Sequence, residues 1–237
     1  MRLAGSLRLG AAVAAAAALT ACSGPAPSHP ALAQVAAPAP VPAPEPTYYL
    51  ALGDSLAQGV QPNASGVSVM TRDGYPDQVY AVLRPSRPRL RLVKLGCPGE
   101  TTTSMINGGI CRYRGGSQLA AAADFLQAHR GRVLLVTLDI GANDPEQCGG
   151  RPGLGVLATC AVKDIPSAVT HLATIMDRLK AAAGPAVRIV GMTYYLPALA
   201  EWHSGLPGHM VAWAAEKLAA TYNRLLTRVY VDRKSVV

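Results

Sequence analysis

A serine hydroxyl placed where a buried strand ends can attack a carbonyl carbon, and this chain offers one. Ser55 stands in Gly53-Asp54-Ser55-Leu56, directly after the apolar run Tyr48–Leu52. Gly53 has no Cβ and can adopt backbone angles closed to other residues, so the chain can turn sharply there. Ser55 would then open a helix, where free N–H groups favour developing negative charge. Four residues alone are a weak signal, because a serine in that place also serves as a helix cap. Two further blocks follow later apolar runs. Gly96-Cys97-Pro98-Gly99-Glu100-Thr101-Thr102 comes after Leu90–Leu95, and Gly141-Ala142-Asn143-Asp144 comes after Val133–Ile140.

The elements that must position these blocks alternate. Strands are expected at Tyr48–Leu52, Leu90–Leu95, Val133–Ile140 and Val187–Thr193, with a fifth beginning at Val229–Val231. Helices are expected at Tyr75–Leu83, Gln118–His129, Pro166–Ala183 and His209–Arg228. In the third helix Val169, Leu172, Ile175, Met176 and Leu179 share one face at helical spacing. Each strand is short and almost wholly apolar, as in a parallel sheet covered on both faces. The fold class expected is α/β, a three-layer α/β/α doubly wound parallel sheet with its fifth strand and final helix incomplete. Its site belongs at the carboxyl ends of the strands.

The three blocks together resemble the GDSL, or SGNH, hydrolase family, in which they occur in this order at the ends of strands one, two and three. The resemblance covers roughly Thr47–Val231, and is nearest to the exported bacterial branch with a Gly-Cys-Pro-Gly-Glu-Thr-Thr block and paired cysteines. It implies a flavodoxin-like fold and a serine esterase or lipase. Ser55 would be the nucleophile, and its N–H, the Gly96 N–H and the Asn143 side chain would form the oxyanion hole. Such preorganised donors stabilise a tetrahedral oxyanion by about 3–4 kcal/mol each. Asp54, with Gly53, is expected to orient the turn, and Asp144 to cap a helix or loop. The partner implied is an ester: an acyl lipid, an acetylated sugar or a small soluble ester. Tyr194, Tyr195 and Trp202 either line an acyl pocket or pack the domain.

A base is the missing part, since a serine hydroxyl is a poor nucleophile unaided. The family takes it from an Asp-x-x-His segment after strand five, and none of the nine aspartates here has histidine three residues on. His129 and His171 read as ordinary helix residues, and His203 or His209 is a poor substitute. The final six residues, Asp-Arg-Lys-Ser-Val-Val, are what GATCGGAAGAGCGTCGTG encodes, the start of a common short-read sequencing adapter. Asp232–Val237 is therefore expected to be a non-native tail on a truncated domain, and this chain a weak or inactive enzyme. The competing reading is a pseudoenzyme, an envelope lipoprotein that binds an acyl or sugar ligand. A purely structural module leaves Ser55, Gly96 and Asn143 at strand ends unexplained.

Composition agrees with a single exported domain. Half of the 237 residues are hydrophobic and 15% are charged, which supports a core and excludes full disorder. Met1–Ala21 reads as an export signal, with Arg2 and Arg8 before the apolar run Leu9–Leu19. Leu19-Thr20-Ala21-Cys22 resembles a lipobox, which would make Cys22 the lipidated first residue, held at about 0.8 kcal/mol per buried CH₂. Cys22–Pro46 is a tether holding eight of the nineteen prolines, too poor in backbone donors to fold. The domain would then span 47–231 and sit at the cell envelope, facing outward, or be secreted. A membrane is met through the lipid anchor only. Net charge is +8, or +6 without Arg2 and Arg8, and with no dense Lys/Arg run a nucleic-acid partner is not indicated. No Walker loop, Rossmann glycine fingerprint or His-Glu-x-x-His occurs, so no cofactor and no metal are expected.

Four cysteines remain after Cys22. An oxidising compartment and an even count favour two disulfides, with three possible pairings. Nearest-neighbour pairing, Cys97–Cys111 and Cys148–Cys160, is expected, each worth about 2–3 kcal/mol in the chain-entropy model.

Overall fold

Residues that are apolar on both sides of a strand can only be satisfied between two layers, and Tyr49, Leu50, Ala51 and Leu52 are all fully buried. They form the middle of β1, Thr47–Gly53. The chain continues through α1 (Ser55–Gln58), a hairpin of β2 (Val60–Pro62) and β3 (Ser68–Met70), α2 (Tyr75–Leu83) and β4 (Leu90–Lys94). Then come α3 (Thr102–Asn107), α4 (Gln118–Ala128), β5 (Val133–Asp139), α5 (Leu154–Ala183), β6 (Arg188–Gly191) and α6 (Gly205–Asp232). This computed structural model describes residues 45–144 and 154–237. The chain divides into two units, Met1–Pro42 and Ala43–Val237, and all that follows concerns the second. The expected export signal, Cys22, the tether as far as residue 44, and Cys148 lie outside the described residues.

β4, β1, β5 and β6 lie side by side in that order, all parallel. Leu50 pairs with Val93 on one side and Val136 on the other. From the central strand the chain goes out to β4 first, then crosses back to β5. The carboxyl end of β1 is therefore the switch point of the sheet, where a crevice opens between diverging connections. Alternation along β1 sends side chains to opposite layers. Tyr49 and Ala51 pack with Leu90 and with Val79, Tyr80 and Leu83 on or beside α2. Leu50 and Leu52 join the larger core with α4, α5 and α6. Leu172, Ile175, Met176 and Leu179, at helical spacing along α5, are wholly buried in that core.

Several elements differ from the sequence expectation. Val229–Val231 is not a strand but the last turn of α6. Tyr222, Leu226, Val229 and Tyr230 fall at helical spacing and are buried, so burial of that face outweighs the strand preference of two valines. Pairing beyond β6 occurs later. The Val236 amide donates to Ile189 O at 3.2 Å and its carbonyl accepts from Gly191 N at 2.9 Å, a single parallel bridge. Arg233 grips Asp177 with two bonds, 2.7 and 3.0 Å, so the last residues pack on α5 and the sheet edge. The helix expected at Pro166 begins at Leu154 and carries Pro166 within it. Among the described residues no helix is long and apolar enough to cross a membrane.

Candidate active site

The turn after β1 is fixed by exclusion. Gly53 sits at φ +132°, and a Cβ there would lie 2.0 Å from the Asp139 carbonyl oxygen. No other residue fits, on either count. Its N–H donates to Gln118 Oε1 at 2.7 Å and its C=O accepts from Gln118 Nε2 at 2.9 Å. Asp54 then caps α1, its Oδ1 accepting from Leu56 N at 3.0 Å. Ser55 is thereby the first residue of α1, half-buried, at the head of the crevice.

Gly96 lies beyond β4 and is buried for a different reason. A Cβ would come 2.6 Å from the Ala57 Cβ and 2.8 Å from the Asp54 carbonyl oxygen, so glycine lets the two turns touch. Leu95 N and Cys97 N donate to Ala51 O and Gly53 O, at 2.9 and 3.0 Å. Successive amides of an extended chain point to opposite sides, so the Gly96 amide is directed away from β1. Cys97 is bonded to Cys111, S–S 2.02 Å and Cα–Cα 6.0 Å. Beyond it Thr101 and Ser104 cap α3 reciprocally.

The block after β5 joins the same assembly. Asn143 Nδ2 donates to Glu100 O at 2.7 Å, which orients the carboxamide and leaves its second N–H to spare. Asp144 accepts from Thr102 N at 2.9 Å and from the Thr102 hydroxyl, filling an orphan amide at the head of α3. Burial raises the Asp144 carboxyl above its ordinary value. Glu100 is also buried and raised for the same reason, with Ser104 and Gln118 donating to it.

Two residues that the sequence reading passed over hold these pieces together. Gln118, wholly buried, bonds both backbone groups of Gly53 and the Glu100 carboxyl. Asp139, also wholly buried, accepts from the Tyr75 hydroxyl at 2.9 Å and lies against Asp54. Burial first, and then the charge of Asp54, hold its carboxyl well above the usual range. Asp139 and Asp54 thus form an acid pair under the Ser55 turn, with Asp139 the member whose carboxyl is raised. Its signal in the sequence is a lone acid in an apolar strand; Gln118 gives none, because its partner is remote along the chain.

Ser55 and Asn143 line one cleft of about 330 Å³ with Asp54, Leu56 and Ala142. The far wall is apolar and comes from Tyr194–Ala198, Ile165 and the α6 residues Leu218 and Tyr222. Tyr222 donates to Gly141 O at 3.0 Å. Tyr194 and Tyr195 belong to the wall; Trp202 does not, and stacks on His209 with ring centres 4.1 Å apart. Gly96 packs behind the Ser55 turn rather than lining the cleft. Among the described residues no histidine lines it either. His171 Nδ1 faces the Thr102 and Thr103 hydroxyls at 3.2 and 3.3 Å, and His129 stacks on Phe125. The expected Cys148–Cys160 bridge lies outside the described residues. Among those residues, no group of three or more His, Cys, Asp or Glu is placed to hold a metal ion.

Residues 51–236 match the GDSL-like Lipase/Acylhydrolase family. No curated protein sequence matches the chain. Among solved structures, an extracellular lipase from Streptomyces rimosus is similar at TM-score 0.55 and 21% identity, over 80% of this chain and 78% of that one. Phospholipase A1 from Streptomyces albidoflavus NA297 follows at TM-score 0.53 and 18% identity, over 81% and 78%. A carbohydrate acetylesterase from Sinorhizobium meliloti has TM-score 0.52 and 16% identity, over 80% and 82%. At these identities the likeness is one of fold.

Proposed function

Because the chain belongs to the GDSL-like lipase/acylhydrolase family, we propose that it is a serine ester hydrolase built around Ser55. Ser55 Oγ attacks the acyl carbon, the carbonyl π electrons move onto oxygen, and the oxyanion is met by the Ser55 N–H and Asn143 Nδ2, the two expected donors whose residues line the cleft. The alcohol leaves with a proton, and water then releases the acyl group from Ser55. The observation that carries the reading is that Ser55 and Asn143, from two separate strand ends, face one cleft with an apolar far wall. That wall suits the acyl part of an ester, the class to which the lipase, phospholipase and acetylesterase substrates all belong.

The Ser55 proton needs a base, and none of the described residues lining the cleft supplies an imidazole. We assign that role to an Asp-x-x-His segment encoded beyond codon 231, with Asp232–Val237 as non-native tail. Reading the source locus past that codon tests this assignment, and a genuine stop there refutes it. Residual turnover from the oxyanion donors alone would make this chain a weak enzyme. We further assign Met1–Ala21 to export and Cys22 to lipidation, which places the domain on a bacterial envelope.

The product of the uninterrupted gene should hydrolyse a short-chain p-nitrophenyl ester, and Ser55→Ala should reduce kcat by a factor of about 10⁴ or more. Equal turnover in that variant overturns the assignment. A cleft with no histidine among its described residues favours a second reading, a lipoprotein that binds an acyl ligand without turnover. Saturable fatty-acid binding by that full product, with no hydrolysis, would select it.

A further inference from the structure

The two ends of a parallel sheet are chemically distinct, and the end opposite the cleft is rich in arginine. β1, β4, β5 and β6 begin there at Thr47, Leu90, Val133 and Arg188. Backbone bonds fix the rim: Thr47 N donates to Arg89 O at 3.3 Å and Leu90 N to Arg87 O at 2.9 Å. Arg84, Arg89 and Arg91 line one surface depression with Pro46. Arg87 and Arg89 line a second with Thr47, and Arg130 a third with Val133 and Pro185. These arginines and Arg188 are exposed, and among the described residues none lining the three depressions is acidic. Glu45 is committed to Arg132 at 2.8 Å. Arg130 also bonds the Ala181 and Ala182 carbonyls, neutral partners that leave its charge uncompensated.

Four of these arginines fall within Arg84–Arg91, interleaved with Pro85, Pro88 and Leu90. The prolines stiffen the loop, so little freedom is lost when the guanidinium groups engage a partner. A second, independent observation concerns the chain itself. Everything before Glu45 joins the domain at this end, through Pro46 and the first residue of the central strand.

We infer that this amino-end face is a docking surface for a bilayer containing anionic phospholipid. Guanidinium groups match phosphate in charge and in planar geometry. A basic face beside the chain entry adds a second attachment to whatever anchors the N-terminus, and one acyl chain alone holds weakly. Docked this way, the carboxyl ends of the strands face away from the membrane. If Ser55 is the nucleophile proposed above, the ester then arrives from solution or from the surrounding polymer rather than from the supporting leaflet.

Vesicle flotation of the full chain tests this without reference to activity. Vesicles of phosphatidylcholine alone give the contribution of the apolar N-terminus. Adding phosphatidylglycerol should raise retention about tenfold, and molar salt should remove the increment. Arg84→Gln/Arg87→Gln/Arg89→Gln should lose most of that increment with an unchanged thermal midpoint. Arg112→Gln/Arg114→Gln, exposed arginines elsewhere on the fold, should keep it. Equal retention on both vesicle types, equal loss in both variants, or capture by double-stranded DNA with no lipid increment would overturn the inference.

Discussion

The two sides of the cleft are built to different standards. On the Ser55 side, both backbone groups of Gly53 are bonded to a buried glutamine, and Asp54 caps the turn above a buried acid. Neither Gly53 nor Gly96 has room for one added carbon. On the far side, the wall runs from Tyr194 into the segment Pro197–Ser204 and on to α6. There Tyr195 is 69% exposed. Rigidity is concentrated where a reacting atom must be held to a fraction of an ångström. The exposed part of the wall, at Tyr195, can vary without disturbing the core. Chemistry and selectivity are thus separable in this molecule.

The largest expected effect of breaking that contrast comes from Gly53→Ala. The new Cβ would overlap the Asp139 carbonyl, and φ +132° is strained for any residue with a side chain. A loss of more than about 3 kcal/mol is expected, read as a lowered urea midpoint. Wild-type stability in that variant would show that the Ser55 side is not held as described.

Asp139 gives a smaller effect with a distinctive pH signature. In the unfolded chain its carboxyl ionises near the ordinary value of 3.8, whereas burial beside Asp54 raises it well above that value in the fold. Below the unfolded value its contribution to stability is fully present. Above it, the unfolded chain releases a proton that the fold retains. Stability therefore falls as pH rises, by about 1.4 kcal/mol per pH unit for one group, until Asp139 ionises in the fold. Asp139→Asn keeps the outline and a donor toward Asp54 but cannot ionise. Urea midpoints measured from pH 4 upward should fall less steeply in the variant, by about that slope. Glu100 and Asp144, raised for the same reason, leave a remainder in both proteins.

The smallest effect on folding is expected from the wall. Tyr195→Ala should change stability by less than about 0.5 kcal/mol. In the uninterrupted gene product it should alter the preference among p-nitrophenyl esters of different chain length. Unchanged preference together with lost stability would reverse the contrast between the two sides.

Much of this arrangement was legible in the sequence, and the exceptions have physical causes. The two inner strands, β1 and β5, announce themselves because a strand covered on both faces is apolar at nearly every position, and a run such as Val133–Leu138 allows few other readings. The Ser55, Gly96 and Asn143 blocks mark three strand ends. β2 and β3 were invisible because all but one of their residues are exposed, leaving no apolar period to detect. α3 was hidden by its own polarity, Thr102–Asn107 being held by a capping box and by Asp144. Val229–Val231 misled because three residues cannot distinguish a strand from the end of a helix; Leu226 and Tyr230, buried one turn apart, decide it. Gln118 could not have been found, since only the folded chain brings it to Gly53.

The Cys97–Cys111 bridge stands one residue from Gly96. Its consequence is practical as well as structural. In a reducing cytosolic expression host the cross-link would be absent, and material from such a host would differ from oxidised material beside the same amide. Preparations compared across laboratories should therefore be titrated for free thiol before their rates are set side by side.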